Sequence, residues 1–318
     1  HDAPVDFMLH HGDPPELRLI SPYSEYLTGR AGGEARLEGL ADALREFARD
    51  SDFMSFFEDH RELYELQVDE VLRLTEGLDY VETLESFFGE SRESYGIILS
   101  PLFAGGYGIT VETGGGHEIY GVLGPCALAE SRVTFACLDY IESISLHEWS
   151  HSFVNPLVDA NYAAGDAVGA AFEESEKLYA PIAGMMRSQA YPTWRVSLYE
   201  HLVRASEIHL RDALREGFDK GKFLSYQEGK GFWYISRIDS LLNVYEKRRD
   251  TYPGLADFMP VIAEELAGVR ISDVPERVTT FRGPLDAVFP MARSIHIVYP
   301  GDVEGAVEQV DLYADVDG

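Results

Sequence analysis

At 318 residues and 45% hydrophobic, the chain is long enough to bury a full core, in one large domain or two smaller ones. Its 55 Asp and Glu against 26 Lys and Arg leave a formal net charge of -29, which excludes the Lys/Arg clusters on which nucleic-acid and anionic-membrane binding rest. No run reaches the ~18 apolar residues of a membrane span, because the most apolar stretch, 95–110, is broken by Ser100, Pro101 and Gly105-Gly106-Tyr107-Gly108.

Residues 1–33 are rich in Pro, Gly and His and end in Gly29-Arg30-Ala31-Gly32-Gly33, which predicts an arm followed by a loop, with His10-His11 exposed and without a role. The first residue is His1 and no basic start precedes an apolar stretch, so a signal sequence is expected to lie outside this chain. From Glu34 to about Glu90 the pattern is helical: Leu37, Leu40, Ala41, Leu44, Phe47 and Ala48 make one stripe, and Ser51-Asp52 reads as the cap of the next helix.

Between Tyr95 and Cys137 the character changes. Residues 96–99, Ile109-Thr110-Val111 and 132–137 read as short strands separated by Gly-rich turns. Gly105-Gly106-Tyr107-Gly108 and Gly114-Gly115-Gly116 lack the G-x-x-x-x-G-K pattern and precede strand-like residues, so they are expected to be hairpin turns rather than phosphate loops. Cys126 and Cys137 are the only cysteines. They fit either a disulfide closing a hairpin in an oxidising compartment or two small buried apolar residues in a reducing one, and their spacing fits no zinc knuckle.

The segment His147-Glu148-Trp149-Ser150-His151 matches H-E-x-x-H. On a helix, residues four apart share a face, so both imidazoles can meet one ion while the Glu activates a water. Leu138, Ile141, Ile144, His147 and His151 follow helical steps with Asp139 as a candidate N-cap, and the helix is expected to stop at Asn155-Pro156. Leu146, Trp149, Phe153 and Val154 flank the polar residues, which places the motif in a core rather than on a solvated face.

Two histidines leave a catalytic zinc site one protein ligand short. Residues 157–270 return to helix, and they offer two sources for that ligand. One is Glu173, Glu174 or Glu176; the other is Glu200, on a long helix expected from Thr193 to about Arg215, with Arg204 one turn later to hold its carboxylate. Either segment also fits a solvated helix face. Beyond Ile271 the chain becomes strand-like at Ser294-Ile295-His296-Ile297-Val298-Tyr299 and ends in an acidic tail. The whole predicts an α+β, mainly helical chain. Its parts are an arm (1–33), a catalytic domain (34–270) and a small strand-containing extension (271–318). The catalytic domain comprises a helical layer (34–90), a small mixed sheet before the motif helix (95–137) and a helical region with the metal site (138–270).

Four segments in order resemble the DUF4932 family: the run from His147 to Pro156; Met186-Arg187-Ser188-Gln189-Ala190-Tyr191; Glu200-His201-Leu202-Val203-Arg204-Ala205; and the run from Tyr245 to Tyr252. The resemblance extends from about residue 20 to residue 265. It implies a zincin-like zinc metallopeptidase, exported to the periplasm or beyond, with Glu200 as third ligand. It supplies no substrate beyond a peptide or protein.

On this reading His147, His151 and Glu200 hold Zn²⁺, Glu148 is the general base, and Tyr191 or His201 is the candidate donor to the oxyanion. Other divalent ions also suit two His and a Glu. No G-x-S-x-G elbow is present and neither Cys has the context of a nucleophile. Two alternatives stand beside the peptidase: a catalytically silent zincin-fold binding protein, against which the presence of Glu148 counts, and a zinc hydrolase of a non-peptide amide.

Overall fold

Apolar side chains at three-to-four-residue steps make most of the chain helical, and the strand-forming stretch from Ser94 to Thr134 is the exception. The computed structural model describes residues 3–129 and 132–273, with 280–281 and 297–298. The chain divides into two compact units, residues 1–267 and 268–318. Among the described residues, no helix is long and apolar enough to cross a membrane.

The N-terminal residues expected to form an arm fold instead. Helices α1 (Ala3–Leu9) and α2 (Glu25–Ala31) bring Phe7 and Leu27 onto Leu37 and Ala41 of α3 (Glu34–Asp50). His10 and His11 are buried here, not exposed. His11 donates from Nδ1 to the Phe7 carbonyl at 2.8 Å and accepts from the Tyr23 hydroxyl at 3.1 Å, while His10 Nδ1 lies 2.9 Å from Ser21 Oγ. One helical turn aligns Phe7 with His11, and the Pro and Gly residues that suggested an arm occupy the connection to α2. Helices α4 (Phe53–Asp59), α5 (Arg61–Thr75) and α6 (Tyr80–Phe88) complete the helical layer.

Strands β1 (Ser94–Leu99), β2 (Gly106–Glu112) and β3 (His117–Leu123) form a mixed sheet in the order β1-β3-β2, with β1 parallel and β2 antiparallel to β3. Gly114-Gly115-Gly116 lies in the β2–β3 hairpin as expected. Gly105-Gly106-Tyr107-Gly108 does not form a hairpin turn, because β1 and β2 flank β3 and the intervening loop must cross to its far side. Period-two alternation gives the sheet two apolar faces. Ile109, Val111 and Val122 pack with Val5 and Leu9 of α1, and Leu123, Ile97 and Leu99 pack with Ile141 and Ile144 of α7 (Leu138–Ala163). A two-stranded hairpin, β4 (Ala127–Ala129) with β5 (Arg132–Thr134), precedes α7, and a Cys126–Cys137 disulfide ties it to the residue that starts the helix.

Helix α7 does not stop at Asn155-Pro156; it continues to Ala163 with Pro156 inside it. Proline cannot donate to the carbonyl four residues back, which is that of Ser152. Arg92 Nη2 donates to that carbonyl instead, at 2.9 Å, while its guanidinium stacks 3.9 Å from the Phe153 ring centroid. A side chain sixty positions away thus supplies the missing donor.

Helices α8 (Ala167–Ser175), α9 (Ala183–Ser188), α10 (Trp194–Leu214), α11 (Lys220–Gly229), α12 (Ile235–Lys247) and α13 (Leu255–Ala267) follow. In the second unit, β6 (Thr280–Phe281) pairs antiparallel with β7 (Ile297–Val298). The rest of the strand expected over 294–299 and the acidic tail lie outside the described residues.

Substituting Arg92→Ala is expected to destabilise the chain by about 1–3 kcal/mol, the cost of leaving a part-buried carbonyl without a donor, with a lower urea midpoint as the readout.

Candidate metal centre

Helix α10 packs along α7, and the contacts run in opposite order along the two chains: His151 with Glu200, His147 with Glu207, Asp139 with Arg211 and Arg215. The helices are therefore antiparallel. On α10, residues 200, 204, 207 and 211 fall at i, i+4, i+7 and i+11, one face that reads Glu, Arg, Glu, Arg. Glu142, His147, Glu200, Glu207 and Arg211 are all buried in this contact. Buried charges are tolerable only when paired, and here each faces a partner of opposite sign or an imidazole.

At the middle of the seam three donor atoms converge. His147 Nε2 and His151 Nε2 are 3.3 Å apart, and the two Glu200 oxygens lie 3.6 Å from His147 Nε2 and 3.4 Å from His151 Nε2. A tetrahedral ion with ligands at zinc distances has edges of about 3.3 to 3.6 Å. The outer ring nitrogens both face oxygen: His147 Nδ1 lies 3.3 Å from Glu207 Oε2, and His151 Nδ1 lies 3.1 Å from Asn155 Oδ1. Each neutral imidazole therefore carries its proton on Nδ1, and both Nε2 lone pairs point at one another and at a carboxylate. Three acceptors so close together repel unless a proton or a metal cation sits between them. His147, His151 and Glu200 could hold a metal ion, and the donor chemistry fits one.

Electrostatics holds the carboxylate ready. Burial pushes the Glu200 pKa up, but His151, His147 and Arg204 outweigh it and bring it down to about 2. For His151, burial lowers the pKa, yet Glu200, Glu148 and Asn155 together raise it above the ordinary value. Arg204 Nη2 donates to Glu200 Oε2 at 3.1 Å, and its guanidinium rests on the Phe232 ring at 4.5 Å from the centroid.

Glu148 is half-buried on α7, and its carboxylate makes no hydrogen bond to another described residue. It lies against the edge strand: a Cβ built at Gly108 would stand 3.1 Å from Glu148 Oε2, and one at Gly106 would stand 2.2 Å from Ile144 Cγ2. These two glycines let β2 approach α7 at the level of Ile144 and Glu148. The Tyr191 hydroxyl accepts from Arg204 Nη2 at 3.3 Å, and burial together with the Glu200 charge raises its pKa, which keeps it protonated.

His201 is not part of this arrangement. It points away from Glu200, fully buried among Trp194, Phe232 and Tyr234, and donates from Nδ1 to the Ser197 carbonyl at 2.6 Å. Adjacent helix positions diverge by about 100°, so the neighbour of a ligand faces another core. Glu173, Glu174 and Glu176 are exposed, and Glu174 pairs with Lys177 at 3.0 Å; the carboxylate that lies with the two histidines is Glu200. Glu207 and Arg211 carry no local motif that marks them in the sequence, and Asn155 reads there only as part of a helix stop. The available signal was the seven-residue repeat that carries Glu200 and Arg204 to Glu207 and Arg211.

Residues 5–264 match the family described as "Domain of unknown function (DUF4932)". No curated protein and no solved structure matches the chain.

The charges around His151 and Glu200 set an expected pH dependence. With its raised pKa, His151 contributes stability to the metal-free chain below the unfolded value of 6.5, and loses it as pH rises through the folded value. Glu200, depressed to about 2, contributes above 4.5 and loses it as pH falls toward 2. Metal competes with the His151 proton, so uptake is expected to weaken about tenfold per pH unit below the raised pKa. Thermal unfolding from about pH 2 to about pH 9, and Zn²⁺ titration from about pH 4 to about pH 9, check these trends.

Proposed function

The chain belongs to the DUF4932 family, and on that footing we propose that it is a zincin-like, zinc-dependent metallopeptidase that hydrolyses peptide bonds. The observation that carries this reading is the convergence of His147 Nε2, His151 Nε2 and Glu200 beside a Glu148 carboxylate that no described residue binds. Two imidazoles and one carboxylate favour zinc over the oxygen-preferring Mg²⁺ and Ca²⁺. A zinc ion bound there supplies Lewis acidity, lowering the pKa of water and polarising a carbonyl.

The residues then divide the work. His147, His151 and Glu200 bind the ion, and Arg204 fixes the orientation of Glu200 through Oε2. Glu148 takes a proton from the attacking water at its free carboxylate and delivers it to the leaving amine. The Tyr191 hydroxyl, kept protonated by burial, donates to the oxyanion as it develops. Among the described residues no strand pairs with the outer edge of β2, whose Gly108 lies against Glu148, and an extended peptide adds to such an edge through backbone hydrogen bonds. That edge favours a peptide over a non-peptide amide. The disulfide between the only two cysteines supports an exported protein.

The test is cleavage of a mixed-sequence peptide library by the zinc-loaded chain. Glu148→Gln is expected to retain one ion while turnover falls by about 100-fold or more. Tyr191→Phe is expected to lower kcat by about 100-fold with KM little changed. Full activity in Glu148→Gln, measured on protein of verified zinc content, would remove this mechanism.

A further inference from the structure

Beyond Glu200 and Arg204 the charged seam continues down α10, and its next two residues are Glu207 and Arg211. Glu207 Oε2 faces His147 Nδ1 at 3.3 Å. Its other oxygen is anchored separately: Ser143 Oγ donates to Oε1 at 2.7 Å, and Arg211 Nη1 lies 3.6 Å from it. The carboxylate therefore cannot rotate away from His147 without giving up contacts on its far side.

Arg211 is itself held firmly. It is 1% exposed, and its guanidinium lies 4.8 Å from the Phe218 centroid and 4.5 Å from the Phe223 centroid. Its Nη2 donates to Asp139 Oδ1 at 2.9 Å, at the start of α7. A large cation kept dry and stacked by two rings, with one edge turned toward Glu207, has a fixed position from which to aim that carboxylate.

We infer that Glu207 and Arg211 are positioning residues for the metal centre, Arg211 acting on His147 through Glu207. Glu207 fixes the His147 proton on Nδ1 and the ring plane toward the ion, so that Nε2 presents its lone pair. Arg211 fixes Glu207. The functional unit on α10 is then the full run Glu200, Arg204, Glu207, Arg211, rather than the single ligand. This inference rests on the zinc reading above.

The loss of either residue leaves the rest of the seam paired. Arg215 Nη1 remains 2.9 Å from Glu142 Oε2, so removing Arg211 does not strand that buried carboxylate. Glu207→Gln keeps an oxygen for the His147 proton and removes only the charge.

The experiment is a competition titration of Zn²⁺ against a chromophoric chelator, with Co²⁺ absorption spectra, on wild type, Glu207→Gln, Arg211→Gln and the double variant, each checked for native circular dichroism. Glu207→Gln is expected to weaken Zn²⁺ binding by about 10–100-fold and to shift the Co²⁺ bands. Arg211→Gln weakens binding as well, and the double variant binds no more weakly than Glu207→Gln alone, because both changes act through one contact. Glu246→Gln, which alters the pairing of His209 away from the ion-binding atoms, leaves Zn²⁺ affinity unchanged and controls for general loosening. Unchanged affinity and spectra in Glu207→Gln overturn the assignment, and fully additive losses in the double variant overturn the route through Glu207. A wild-type chain that binds no Zn²⁺ overturns the metal reading itself, an outcome distinct from either.

Discussion

Packing α7 against α10 requires burying carboxylates, and that requirement organises the rest of the molecule. Glu142, Glu200 and Glu207 all lie in the contact with little access to water. Removing the partner of a buried charge costs about 3–5 kcal/mol, comparable with the loss of a large apolar side chain from a core. The two helices can therefore meet in only one register. Sliding α10 by one turn would bring Arg204 to His151 and Arg211 to His147, replacing each carboxylate with a cation beside an imidazole. Apolar packing draws the helices together; the charged seam decides where they stop. The candidate metal centre is a local consequence, since the same register that pairs Glu142 with Arg215 brings Glu200 opposite the two histidines.

The sheet contributes distance rather than chemistry. It lies on α7 through Leu123, Ile97 and Leu99, and α1 covers its other face through Val5 and Leu9. With the sheet held from both sides, the gap between β2 and Glu148 is set by what stands between them, and at Gly106 and Gly108 nothing does. At its other end the helix depends on Arg92, which restores the carbonyl contact that Pro156 removes. Residues before β1 thus hold the stretch of α7 just beyond His151, and the disulfide at Cys137 holds its beginning.

What the sequence makes legible is what local periodicity encodes. The helical layer from Glu34, the small sheet and the long helix carrying Glu200 follow from the spacing of apolar residues, and the fold class follows from those segments. Mixed helix and sheet do not by themselves specify a zincin. The His147/His151 pair is legible because both residues lie within one turn; Glu200 is distinguished from Glu173, Glu174 and Glu176 only when tertiary packing buries it and leaves them exposed. The misreadings share a cause. Pro156 ends a helix by its own chemistry, and only a distant guanidinium overrides it. His201 stands beside a ligand in sequence and turns into a different core because helix neighbours diverge. His10 and His11 lie in a segment of loop-like composition, yet α1 and Tyr23 enclose them. In each case the deciding contact comes from residues outside the local pattern.

The two bare positions on β2 bear on how substitutions in this chain are to be weighed. Neither Gly106 nor Gly108 carries a functional group, and each meets α7, at Ile144 and Glu148, with backbone alone. Even a methyl group at either would collide with α7 or crowd Glu148. In a survey of random variants a loss at Gly106 would carry the signature of added volume, and the outcome at Gly108 would depend on whether Glu148 can give by a few tenths of an ångström. Intolerance alone therefore does not identify chemistry in this region. Where a histidine is constrained by the lone pair it offers, these glycines are constrained by the space they leave empty.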